Sequence, residues 1–423
     1  MMRPARIARG GRQAAAVRAA MMGAAVLAGA ALVAGCGGSG GGEAGTTAPA
    51  RDGATIRVPA DQPSIQEAVD AASAGDTVLI APGTYREAVE VDIDGITIRG
   101  ANRNTVILDG GHQLGDGISV DANDVAVENL TVRGYQNNGV LIDGSNGLAE
   151  GGEGGQEPPE GAQPGKGDFA IDGYRVSYVT AANNGLYGIY AFASRNGVIE
   201  HSYASGSPDS GVYIGQCDPC NAVVRDVVMR DNAIGYFATN TRGRVVVTRS
   251  EMSGNRLGVA LNSDDAELGA PQQGTIMRGN VITGNKNPSA PAIEEGFSGG
   301  GIGIAGGRDN VLSENRITGN GDVGVLILNQ QGYRATANRF TGNTITGQQV
   351  DVVVTGRAAG CFSGNQIGAS NPADIEQVAP CQGAPTSSAG RTPWTPAPAA
   401  PDIDYRKIPL PPPQPNMPGG SRR

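Results

Sequence analysis

The sequence predicts an all-β chain folded as one right-handed parallel β-helix, a solenoid closed at its start by a helical cap. Three observations predict it. Six segments place a bulky apolar residue three positions before an asparagine: Met229–Asn232, Met252–Asn255, Met277–Asn280, Leu312–Asn315, Phe340–Asn343 and Phe362–Asn365. Successive asparagines lie 23, 25, 35, 28 and 22 residues apart, the spacing of one supersecondary unit repeated with loops inserted between some copies. Between the frames run short apolar stretches such as Val245-Val-Val247 and Gly324-Val-Leu-Ile-Leu328, separated by Gly, Asn, Asp and Ser, which is strand-and-turn chemistry. A glycine column supplies the register: Gly188, Gly211, Gly235, Gly258, Gly303 and Gly324 each open a strand.

Alternation along those strands sorts side chains into two columns. The inward column is expected to be Ile189, Val212, Tyr236, Val259, Ile304 and Val325. The outward one is Tyr190, Tyr213, Phe237, Ala260, Ala305 and Leu326. Coils stacked at about 4.8 Å would make a rod of roughly 50 Å from ten of them. Met229, Met252 and Met277 share their column with Leu312 and Phe340, so they read as core rather than as a soft-metal site.

Residues 1–35 read as an export leader. Arg3, Arg6, Arg9, Arg12 and Arg18 precede an alanine-rich apolar run ending Leu32-Val33-Ala34-Gly35-Cys36, with no acidic residue before the cysteine. The run ends too soon for a membrane span. It resembles the bacterial lipobox, and the resemblance implies cleavage before Cys36, lipidation of its thiol and anchorage on the extracytoplasmic face of the cell membrane. Residues 36–53, rich in Gly, Ser and Thr, form a tether.

Loss of the five leader arginines leaves 27 basic residues against 41 acidic ones, a net charge of −14. Such a surface has no footprint for nucleic acid. It also repels polyanionic glycans unless Ca²⁺ or a local arginine patch intervenes; no cofactor is required by the residues, and Ca²⁺ is the candidate. With only His112 and His201, a multi-histidine metal site or a histidine-based triad is excluded. Four cysteines remain in an oxidising compartment, where Cys217–Cys220 and Cys361–Cys381 are the best disulfide pairing and other pairings stay open. A redox or zinc role lacks the helix terminus or the second close pair it would need.

The domain, expected over residues 54–382, begins with a capping box in Pro63-Ser64-Ile-Gln-Glu67. Ile65, Ala68, Val69 and Ala72 then recur at helical spacing, a short amphipathic plug for the first coil. With the segment Gly75-Asp-Thr-Val-Leu-Ile-Ala-Pro-Gly-Thr-Tyr85-Arg-Glu87 that follows, the chain resembles the pectate-lyase-like β-helix superfamily. Its closest-looking branch holds periplasmic accessory and carbohydrate-processing β-helix proteins. The resemblance, over about residues 55–370, implies the fold and a carbohydrate connection. The catalytic signatures of methylesterases, lyases, epimerases and polygalacturonases of this fold are not matched here, and Arg391-Thr-Pro-Trp394 lies in a tail.

A polar row remains beyond the outward aromatic column: Asp143, Asn240, Asn262, Asp264, Asp265, Arg308, Asp309 and Asn329. Carboxylates and amides beside Tyr190, Tyr213 and Phe237 have the composition of a sugar groove. Asp264 and Asp265 are the acid/base or Ca²⁺ candidates. The competing reading is that these residues bond their own turns and the rings pack beneath a loop. Two inserts, at about 144–168 and 266–300, bracket this face. Residues 383–423, with the run Pro411–Pro413, read as a disordered proline-rich tail. The functional expectation is a monomeric envelope lipoprotein binding a polysaccharide or another envelope component along its rod. The alternative is a polysaccharide lyase or glycoside hydrolase-like enzyme using the acidic row.

Overall fold

A computed structural model describes residues 53–144, 170–292, 298–356, 360–390, 392–395 and 400–419. The leader, Cys36, most of the tether and nearly all of the first insert lie outside these. The described strands form three parallel sheets. A first sheet of 12 strands runs from Thr55–Val58 to Gly360–Ser363. A second of 11 runs from Gly83–Tyr85 to Gln366–Ile367, and a third of 11 from Val89–Val91 to Ser370–Asn371. Each turn of the chain adds one strand to each sheet, so every strand pairs with its counterpart one coil away. This is the right-handed parallel β-helix that the repeat predicts.

The inward column of the third sheet is Ile189, Val212, Tyr236, Val259, Ile302 and Val325, all fully buried. It corrects the expected register at one coil. Ile302 and Gly303, rather than Ile304 and Ala305, pair with Val259 and Ala260. A shift of two residues keeps the same faces in and out, so alternation could not detect it.

A second correction concerns the asparagine frame. Met229 pairs with Met252 and then Ile282 in the second sheet, whereas Met277 lies between Val247 and Leu312 in the first. Asn232 and Asn255 therefore occupy the corner leading into the third sheet; Asn280, Asn315, Asn343 and Asn365 occupy the one leading into the second. Both corners bend the chain through a single left-handed residue just before the asparagine. Asp231 (φ 56°) and Gly254 (φ 64°) serve at one, Gly279 (φ 66°) and Glu314 (φ 57°) at the other. The same local geometry selects the same frame at two places.

The corner amides form buried ladders. Asn255 donates its backbone N–H and Nδ2 to Oδ1 of Asn285 at 3.0 and 2.9 Å, and Nδ2 also reaches the Met229 carbonyl at 3.0 Å. Asn280, Asn315, Asn343 and Asn365 repeat the pattern until Glu376 Oε1 ends it at 2.8 Å. A corner turned into the core would otherwise leave its peptide groups unpaired. On the first sheet Glu128 and Glu200 are buried among Arg99, Arg175 and Arg225 of successive coils, a charge ladder absent from the sequence reading.

The cap forms as the sequence specifies. Helix Ile65–Asp70 starts at Ser64, whose hydroxyl accepts from the Glu67 N–H at 3.1 Å, and it buries Ile65, Ala68 and Val69. Both expected disulfides are present, with Cα–Cα distances of 4.8 and 4.7 Å. Cys217–Cys220 staples a corner, and Cys361–Cys381 ties the last coil to a closing turn of helix, Ile375–Val378. The expected 266–300 insert resolves differently. Thr275–Arg278 and Val281–Thr283 are regular strands of the stack, so the extra length is two corner loops, before and after them.

The tail also departs from expectation. Residues 392–395 and 400–419 lie against the coils instead of standing free. Trp394 packs on Val323, Leu326 and Val353, and Gln414 through Met417 reach Asn104, Arg103 and Asn129 near the opposite end of the stack. Composition suggested disorder because the segment has little apolar surface. Its backbone groups instead find side-chain partners on the coils.

Candidate binding groove

On the outer face of the third sheet, the column Tyr190, Tyr213, Phe237, Ala260, Gly303, Leu326 changes abruptly in size. Rings fill the first three coils, Ala and Gly the next two, and Leu the sixth. The small pair leaves a recess of about 580 Å³ with Ala260 and Gly303 in its floor, Phe237 at one end and Leu326 and Leu328 at the other. Gly303 leaves room to spare: a Cβ there would meet nothing nearer than 3.9 Å. Asp209, Arg256, Asn262 and Gln330 contribute the polar groups of the lining.

The three-ring platform expected from sequence does not form. Tyr187 stacks on Tyr190 at 4.4 Å and lies 5.3 Å from Tyr213, whose own distance to Tyr190 is 4.7 Å. Tyr213 is thereby only 2% exposed, and its hydroxyl occupies the space that the missing side chain of Gly215 leaves open. Burial pushes the Tyr187 phenol well up, and the charge of Asp209 and a hydrogen bond to it add to the shift. Tyr190 and Phe237 stay partly exposed, and Phe237 meets Tyr213 edge-on at 5.4 Å. Only Phe237 of the three lines the recess.

The polar row is likewise divided. Asn262 lines the groove. Asn240 is buried and bonded to a corner loop: it donates to the carbonyls of Asp264 at 2.8 Å and Glu267 at 3.1 Å, and accepts from the Asp264 N–H at 3.0 Å. Asp264 Oδ1 accepts from the Ala266 N–H at 2.9 Å, an Asx turn. Asp265 is exposed, its N–H bonded to Gln331 Oε1 at 2.9 Å. Neither carboxylate lines the recess. Arg308 bonds Gln273 at 2.8 Å beside Asp309, at the corner leading into the first sheet, and Asn329 accepts from the Ala335 N–H at 3.0 Å. Asp143 lies five coils before Gly303, far from the floor. It faces Asp121, whose carboxyl is held up at about 6 by desolvation and by the charges of Asp143, Glu90 and Asp92. Among the described residues no group of three or more His, Cys, Asp or Glu is placed to hold a metal ion.

Arg256 is the residue that sequence reading missed. It is 4% exposed, and burial lowers its pKa while Asp402 opposes the shift. Its Nε donates to the Ala290 carbonyl at 2.9 Å, and its two terminal nitrogens donate to Ala400 and Pro401, each at 2.6 Å. One wall of the groove is thus tied both to the second corner loop and to the tail. No short motif marks this role, because its partners are backbone carbonyls up to 145 residues away. The fall in size from Phe237 to Ala260 was visible in the sequence and is the signal that could have located the recess.

A family model described as the right handed beta helix region matches residues 169–345. A comparison with curated proteins found no match. Among solved structures, the chain is similar to pectate lyase Pel9A, with 13% identity, a TM-score of 0.45, and coverage of 74% of this chain and 76% of that one. The A-module of the Azotobacter vinelandii mannuronan C-5 epimerase AlgE4 is 18% identical, with a TM-score of 0.43 and coverage of 72% and 88%. PfbA, a surface adhesin of Streptococcus pneumoniae, is 13% identical, with a TM-score of 0.42 and coverage of 69% and 82%. At these identities the likeness is one of fold alone.

Proposed function

We propose that this pectate-lyase-like right-handed parallel β-helix is an exported lipoprotein, tethered through Cys36, that binds an uncharged glycan segment in the third-sheet groove. The recess beside Phe237 carries this reading. A largely apolar floor with one partly exposed ring at its end suits the hydrophobic face of a pyranose, and Asp209, Asn262 and Gln330 offer groups for hydroxyls at the rim. The net charge of −14 after leader removal argues against a polyanionic chain. Binding is favoured over hydrolysis or elimination because Asp264 is committed to its turn and neither it nor Asp265 borders the recess. Ca²⁺ is not needed for this reading.

The test is retention of the Cys36→Ser protein on an array of neutral and acidic glycans. Phe237→Ala, and Gly303→Val to fill the floor, should each abolish retention with the melting temperature little changed. Retention that both variants keep would overturn the groove assignment. In cells, the same Cys36→Ser change should release the protein from the membrane fraction; unchanged membrane retention would refute the tether.

A further inference from the structure

Residues 400–419 cross the outside of the second sheet between its two corners, without strand or helix apart from one 3-10 turn at Tyr405–Lys407 that ends in the extended Ile408. Their own side chains are mostly exposed: Pro409, Leu410, Pro412, Pro413 and Pro415 face solvent, and only Ile408 is buried, at 7%. What holds them is contact to their backbone. Asn183 Nδ2 donates to the Ile408 carbonyl at 2.6 Å. Asn104 makes a reciprocal pair with Gln414, accepting from its N–H and donating to its carbonyl, both at 2.8 Å. Arg103 donates a terminal nitrogen to the Pro415 carbonyl at 3.2 Å and its own N–H to Asn416 Oδ1 at 2.6 Å. Asn129 Oδ1 accepts from the Met417 N–H at 2.8 Å.

We propose that this surface is a recognition site for an extended, proline-bearing peptide, and that residues 402–417 are its resident ligand in cis. Three features separate it from incidental packing. First, two of the receptor groups are themselves held by the coils: Arg103 by Thr180 Oγ1 and the Val179 carbonyl, each at 2.7 Å, and Asn129 through its Nδ2 by the Gly100 carbonyl at 2.9 Å. Burial of Arg103 among these neutral oxygens brings its pKa down to about 10. Second, the match follows the ligand's chemistry. Pro411, Pro412, Pro413 and Pro415 have no N–H to offer, and the amides of Gln414 and Met417 are the ones that Asn104 and Asn129 accept. Third, prolines hold the segment extended before it docks, which lowers the ordering cost of binding. The mode is backbone recognition of a preformed extended strand with one apolar anchor, Ile408. Its receptor groups, Arg103, Asn104, Asn129 and Asn183, lie outside the glycan groove, whose wall residue Arg256 meets only the start of the segment, at Ala400, Pro401 and Asp402.

The experiment uses the full chain and a fluorescein-labelled synthetic peptide of residues 402–419. The chain's own strap is weakened by Ile408→Asp, Gln414→Pro and Asn416→Ala, which leave Arg103, Asn104, Asn129 and Asn183 in place. Release of the strap is read as fast hydrogen exchange at Met417. The released protein should take up the peptide at one equivalent. The unaltered protein should need roughly 100-fold more or greater, because a cis ligand acts at an effective concentration in the millimolar range. Adding Asn104→Ala, at a corner whose fold does not depend on that amide, should remove the uptake. A protein with a released strap that takes up no peptide would overturn the proposal, as would equal uptake of a scrambled peptide or full uptake by the Asn104→Ala form.

Discussion

Oδ1 of Asn343 accepts twice from Asn315, from its backbone N–H at 3.0 Å and from its Nδ2 at 2.9 Å, while the same Nδ2 reaches the Met277 carbonyl at 2.9 Å. One amide thus satisfies buried groups on the coils before and after its own. Asn315→Ala should cost about 3 kcal/mol, since it strands several buried polar atoms at once. A fall of several degrees in melting temperature checks this. Asn365, at the end of the ladder and less buried, should cost less when changed in the same way.

The aromatic pile predicts opposite outcomes for adjacent rings. Tyr213→Ala empties a site that is 2% exposed and should destabilise the fold by about 3 kcal/mol or more. Phe237→Ala removes a partly exposed ring and should cost less, about 1–2 kcal/mol, while removing glycan retention. Thermal melts and array retention on the two variants separate packing from binding. Equal melting losses would contradict the geometry.

Arg249 bonds Asp226 through two nitrogens, at 2.9 and 2.6 Å. This contact holds the Asp226 carboxyl below its usual range, aided by Arg249, His201 and Arg225 charges and opposed by partial burial. A depressed acid pKa stabilises the fold above the unfolded value, near 4, and that contribution is lost as pH falls through the folded one. Arg249→Ala should therefore lower stability at neutral pH only slightly, because Arg249 is largely exposed and solvent screens the pair. The difference should vanish in acid, which denaturant titrations at neutral pH and near pH 3 would check.

The cap at Ser64, the two disulfides and the coil itself were legible because each depends on local order. A hydroxyl three residues before an acceptor-seeking N–H, the Cys217–Cys220 pair three residues apart, and alternation between turn residues all act over a few positions, and Cys361 and Cys381 are then the two cysteines left, one coil length apart. The groove was half legible. Phe237, Ala260 and Asn262 were placed on the correct face, but Tyr213 was read as exposed because the covering ring, Tyr187, lies off the outward column. For Asp264 the sequence leaves an acid/base role and a turn-bonded role both open, and the bond to the backbone two residues on decides for the turn.

By itself the sequence determined that the chain coils, which side of each strand faces inward, and where the stack begins and ends. Those properties follow from alternation, left-handed corner residues and caps, all short-range. Tertiary structure decided which corner each asparagine occupies, since Asp231-Asn232 and Gly279-Asn280 have the same local geometry and differ only in the coil they meet. It also decided the register at Ile302, because a two-residue slip preserves every inward face and only hydrogen bonds between coils distinguish the choices. The tail was decided the same way. Nothing in the composition of residues 400–419 provides a core, and their order comes from Arg103, Asn104, Asn129, Asn183 and Arg256, which the folded coils bring to the surface they cross.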